Sequence, residues 1–183
     1  MGDELLALYC SPVFERIKPS NLFSLSNYKY DVDSLVRIWN KDFNKYGIYF
    51  KILSTRERTS SIFCFREDLL KKFINTNDTK YFLKSCGYDT NSIDICTDCL
   101  KDRLCQKDFP HEIGLLLGYP YEDVMGFIEN QGKNYLCSGY WKVYKDKDAK
   151  CKIFTLYNQA RLGYLCAIRD STKVLELVEK NSK

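Results

Sequence analysis

The chain has 183 residues, 45% of them hydrophobic and 15% aromatic, so it can bury a core and is short enough for one domain spanning 1–183. Fourteen Tyr and eleven Phe against four Ala exclude a coiled coil and a disordered chain, and a formal charge of +4 is too small to imply nucleic acid by itself. No run of about 18 apolar residues occurs, which excludes a membrane-spanning helix.

The opening MGDELLALYCSPVFERIK sets acids, not bases, ahead of a short apolar patch, unlike a secretory signal. A cytoplasmic location is therefore expected, with the nine cysteines mostly reduced. Their odd number also argues against a full disulfide framework. Residues 142–183 carry ten Lys/Arg against five Asp/Glu, which we read as a solvated helix face rather than an anion-binding surface.

In chain order, Ser11-Pro12 pairs a capping residue with a proline suited to a first helical position, and predicts a helix start just after Cys10. NLFSLS (21–26) is a candidate strand. Residues 31–46 place Val32, Leu35, Val36, Trp39 and Phe43 at helical spacing with Gly47 as the cap, predicting an amphipathic helix with Trp39 buried. IYFKILS (48–54) and SSIFCFR (60–66) are rich in strand formers and joined by the polar TRERT, which predicts an antiparallel hairpin.

EDLLKKFIN (67–75) and TKYFLKSCG (79–87) read as short helices, and 90–105 repeats Ile93, Cys96, Leu100 and Leu104 on one helical face. Residues 109–144 read as helix, turn, helix and strand, and 147–180 as a long helix broken near Gly163. The sum is an α+β fold: a small, mostly antiparallel sheet made of hairpin 48–66, strand 139–145 and the candidate 21–26, packed with several helices.

The segment PHEIGLLLGYPYEDVMGFIENQGKNYLCSGYWKVY, followed by a helix ending LYNQAR, resembles the C-terminal half of the family known as domain of unknown function 3793, from anaerobic Gram-positive bacteria. YCSPVFERIKPSNLFSL resembles that family's opening motif, so the resemblance spans nearly the whole chain. It implies a bacterial cytoplasmic protein and carries no catalytic residue with it.

The two motifs hold the reactive types Cys10 and His111, the latter being the chain's single histidine. A Cys–His pair is the smallest constellation for nucleophilic catalysis, since the imidazole takes the thiol proton and the thiolate attacks carbon. Pro110 marks a helix start at His111, where the helix dipole keeps a neutral base. Asn21, Glu112 or Asp123 are candidates to orient that ring. Asn21, Lys18, Tyr119, Tyr140 and Lys142 are the candidate substrate-binding residues, Lys142 through a bound anion.

Cys96-x2-Cys99, with Cys86, Cys105 and His111 nearby, is a half-site for zinc or an iron–sulfur cluster, but it lacks a second pair, so neither metal nor cofactor is expected. HEIGLLLGYPYEDVMGFI imitates a helix-turn-helix, yet between 111 and 132 there are acids and neither Lys nor Arg, so a hairpin of helices is the better reading and nucleic acid is not an expected partner. Three functions stay open. The first is a thiol-dependent enzyme acting through Cys10 and His111 on a small acyl, amide or thioester substrate. The second is a ligand- or protein-binding module with a groove formed by 109–144, taking a small molecule or peptide, and the third is a thiolate metal-binding protein.

Overall fold

A computed structural model describes residues 2–106 and 108–181. Its centre is a three-stranded antiparallel sheet of β1 (Ser20–Ser26), β2 (Ile48–Thr55) and β3 (Thr59–Arg66), in the order β1-β3-β2. The predicted hairpin and the candidate strand are both present, with Phe50 facing Cys64 and Leu22 facing Phe63. The sequence SIFCFR is apolar almost throughout because β3 is covered on both faces: Ile62 and Cys64 point into one core, and Phe63 and Phe65 into another.

The first core is closed by α1 (Gly2–Phe14), α2 (Val32–Phe43), α8 (Lys147–Arg169) and α9 (Val174–Asn181). Helix α2 follows its predicted spacing. Asp31 caps it by accepting from the Ser34 N–H, Trp39 is 3% exposed, and a 3₁₀ turn (Asn44–Tyr46) ends at Gly47 with φ 69°. The second core is closed by α3 (Glu67–Ile74), α4 (Asn77–Ser85), α5 (Ile93–Leu104), α6 (Ile113–Leu116) and α7 (Tyr121–Glu129). Each Phe or Ile that goes fully under cover here is worth about 1.5–3 kcal/mol, so the sheet is the element both cores depend on.

Three expectations are corrected. Strand 139–145 does not join the sheet. Instead β4 (Cys137–Ser138) and β5 (Lys142–Val143) form a separate two-stranded ladder closed by a turn in which the Gly139 N–H donates to the Trp141 carbonyl at 3.0 Å. The long C-terminal helix is not broken at Gly163. Phe154, Tyr157 and Tyr164 keep one buried face through that glycine, and the chain leaves helical geometry only after Arg169, where Ser171 takes φ 69°.

Nor does a helix begin at Ser11-Pro12, because α1 runs through Pro12 to Phe14. Leu6, Ala7, Cys10, Val13 and Phe14 go into the core, Ser11 and Pro12 are buried with them, and Pro12 deprives only the carbonyl of Leu8, itself an exposed residue, of its helical partner. Buried Arg66 then caps the end of α1, its guanidinium donating to the Val13, Phe14 and Tyr46 carbonyls at 3.1–3.2 Å. No described helix is long and apolar enough to cross a membrane.

Candidate functional site

Past α1 the chain turns back at Arg16, whose φ is 59°, and the Ile17 and Lys18 N–H groups both donate to the Pro12 carbonyl. That turn drives the Lys18 side chain inward until it is 2% exposed. Its ammonium donates to Asn21 Oδ1 at 2.6 Å and lies 5.6 Å from the Tyr119 ring centre and 5.9 Å from that of Tyr157. Burial pulls the Lys18 pKa down to about 8, against a smaller upward pull from the Cys10 and Cys64 sulfurs.

Cys10 therefore sits in the C-terminal half of a helix, fully buried, beside Cys64 and Lys18. Burial first, and then its hydrogen bond with Cys64, hold this thiol well above the ordinary value, outweighing the attraction of Lys18. Among the described residues no helix start lies beside Cys10 to favour a thiolate, and its environment keeps the proton on.

His111 lies in the turn that leads into α6 rather than on a helix, with the Ile113 N–H donating to the Pro110 carbonyl. Its ring stands between Phe109 and Phe127, with centres 5.8 and 5.0 Å away. Around these rings is a cavity of about 330 Å³, lined also by Tyr119, Tyr140, Trp141 and Lys142. The Lys142 ammonium donates to the Gly132 carbonyl at 2.8 Å and is 5.6 and 5.0 Å from the Phe127 and Tyr135 ring centres.

Two glycines shape the cavity wall. A Cβ on Gly114 would come within 2.8 Å of Val124, so α6 and α7 can close only around a bare backbone, and Gly118 turns the chain between them at φ 77°. The opposite wall is the β4–β5 hairpin. Its Trp141 stacks on Tyr119 at 4.9 Å and meets Phe154 edge-on at 4.6 Å. Asp123, 2% exposed, fixes it: one carboxylate oxygen accepts from the Trp141 indole at 2.7 Å, and the other from the Tyr144 and Lys145 N–H groups at 2.7 and 3.2 Å.

His111, Tyr119, Tyr140 and Lys142 thus share one pocket, which Cys10, Lys18 and half-buried Asn21 do not line, although the Lys18 ammonium lies 5.6 Å from the Tyr119 ring centre. The groups considered as orienters of the imidazole are engaged elsewhere. Asn21 donates to the Tyr9 carbonyl, Glu112 accepts from Tyr88 and Arg103, and Asp123 holds the hairpin. Cys96 is fully buried, Cys99 lies 3.8 Å from the Gly87 carbonyl, and Cys105 is exposed at the end of α5. Among the described residues no group of three or more His, Cys, Asp or Glu is placed to hold a metal ion.

Residues 6–178 match the family described as a protein of unknown function, DUF3793. The chain belongs to the DUF3793 family. No curated protein and no solved structure matches it. In this DUF3793 chain both the Cys10–Lys18–Asn21 group and the pocket lie inside the matched span.

Sequence reasoning missed the structural part of Asp123 and the pocket wall formed by Phe127. Phe127 carried a signal, as an aromatic on an amphipathic run, whereas Asp123 carried none, its partners lying 18 to 22 residues further on.

Proposed function

We propose that this DUF3793 protein is a binding module for a small, flat, largely apolar ligand carrying one carboxylate-like group, held in the pocket lined by 109–142. The observation that carries this reading is the convergence of Phe109, Tyr119, Phe127, Tyr140 and Trp141 on one cavity whose polar lining includes Lys142 and His111. A cavity of about 330 Å³ is at the small end of ligand sites, which favours a ligand of one or two rings. Lys142 spends one of its three donors on Gly132 and keeps two for an anion.

The setting we propose is bacterial and cytoplasmic, with neither nucleic acid nor a membrane as partner. Binding is set ahead of thiol-dependent catalysis on an acyl, amide or thioester group because Cys10 is fully buried and held protonated. It is set ahead of thiolate metal binding because Cys96 is sealed, its pKa raised to about 12 by burial.

The test is a titration with 3-phenylpropionate and with its neutral amide, followed by NMR. Trp141 lines the pocket and Trp39 lies in the first core, so the two indole N–H signals in one spectrum give a probe and a control. Saturable movement of the Trp141 signal with the Trp39 signal still is expected, tighter for the acid than the amide. Phe127→Ala and Lys142→Met should each weaken acid binding about tenfold. No saturable movement with either compound would falsify the reading.

A further inference from the structure

The sulfurs of Cys137 and Cys151 lie 3.8 Å apart, in contact as free thiols and with neither residue sealed from solvent. Cys137 opens β4, and Cys151 lies early in α8. They face each other because the hairpin packs its Trp141 and Val143 on Phe154 and Tyr157 of that helix, which brings the start of both elements together. A disulfide needs its sulfurs at about 2.05 Å, a gap that rotation of the Cys side chains can close without unpacking the hairpin.

We propose that Cys137 and Cys151 form a redox-active dithiol that takes up an oxidising equivalent from a low-molecular-weight disulfide such as glutathione disulfide. One protein thiolate attacks a sulfur of the small disulfide, whose S–S bond breaks and releases one small thiol. The second protein sulfur then attacks the resulting mixed disulfide at the protein sulfur and expels the other small thiol. The pair loses two electrons and two protons, and the small disulfide gains both as two thiols.

Five of the other seven cysteines are less suited. Cys10, Cys64 and Cys96 are fully buried, and Cys105 and Cys166 are exposed on separate helices. Burial and the contact with Cys151 hold the Cys137 thiol above its ordinary value, with the Lys147 ammonium pulling it the other way, so the first attack is slow and the second, between touching sulfurs, is fast. The bridge would fasten the hairpin carrying Tyr140, Trp141 and Lys142 to α8. The pairing itself stands whether or not the pocket binds a ligand.

The test uses the full chain equilibrated in glutathione buffers of increasing oxidation, quenched with acid, alkylated and mapped by mass spectrometry. A Cys137–Cys151 linked peptide, two hydrogens lighter than the reduced pair and reversed by dithiothreitol, is expected. The thermal midpoint should rise by about 5–10 °C on oxidation, with no rise in Cys151→Ser, where Cys137 ends as a glutathione adduct. The wild-type map needs no variant to be decisive. If Cys137 and Cys151 stay free, or each carries its own glutathione, in a buffer that fully modifies Cys105, the proposal is overturned.

Discussion

An ammonium shut away from water must be held by other dipoles, and Lys18 is held by an amide oxygen and two aromatic faces. Its folded-state pKa of about 8 lies below the roughly 10.4 of an unfolded lysine. Between those values the unfolded chain holds the proton more often than the folded one, so stability rises with pH through that window, and the penalty is fully present below pH 8. Against Lys18→Met, the wild type should gain on the order of 2–3 kcal/mol between pH 8 and 10 in urea unfolding. A difference that stays constant across those pH values would remove this account of the buried amine.

Asp123 is the converse case, a buried acceptor serving three donors. Asp123→Ala strands those donors, and a loss of about 2–4 kcal/mol is expected, read as a lower urea midpoint together with a shifted Trp141 emission. An unchanged emission would show that the indole does not depend on the carboxylate. Thiol accessibility follows burial in the same way. Ellman's reagent should find Cys105 and Cys166 within the first minutes and reach Cys10, Cys64 and Cys96 only on unfolding. Early labelling of Cys10 would reopen the case for it as a nucleophile.

At the scale of elements, two glycines should respond oppositely to alanine. A Cβ on Gly163 meets nothing within 4 Å, so Gly163→Ala should stabilise α8 by about 0.5–1 kcal/mol. A Cβ on Gly118 would press to 2.4 Å of Pro19 in a left-handed conformation, and a loss of 2 kcal/mol or more is expected for Gly118→Ala. Thermal melts of both variants check the pair, and a destabilised Gly163→Ala would mean that α8 needs its flexibility there.

The same scale shows what could be read from residue order. The hairpin and α2 were legible because their signals are local: strand formers around TRERT, and the stripe Val32, Val36, Trp39 and Phe43. The alternation in Trp141-Lys142-Val143-Tyr144 is real but says nothing about ladder length, and here the side-chain partners Tyr119, Asp123 and Phe154 fix the strand more than pairing does. Pro12 misled because a proline suits a first turn and also survives a last one. His111, Tyr119, Tyr140 and Lys142 met because they belong to one stretch of chain, whereas the sealing of Cys10 depends on Cys64 from β3, out of reach of any local pattern.

At the scale of the molecule, β3 is the shared wall of both cores, and hydrogen exchange should show it. Amides of β3 are expected to exchange only through global unfolding, while those of β4 and β5, a ladder two residues long, exchange through local opening orders of magnitude faster. Equal protection of the two would mean that the small hairpin is part of the main folding unit.

The two cores also differ in where along the chain their members lie. The second draws its buried residues from Leu53 to Val124, a nearly continuous run, whereas the first joins Leu6 to Cys64 with Tyr164, Val174 and Val178. On a ribosome the second core can close while α8 and α9 are still in the exit tunnel. For that interval Phe14 lacks Tyr164 and the rest of α1 lacks the two helices packed on it, so the nascent chain carries a sticky half-built face along α1.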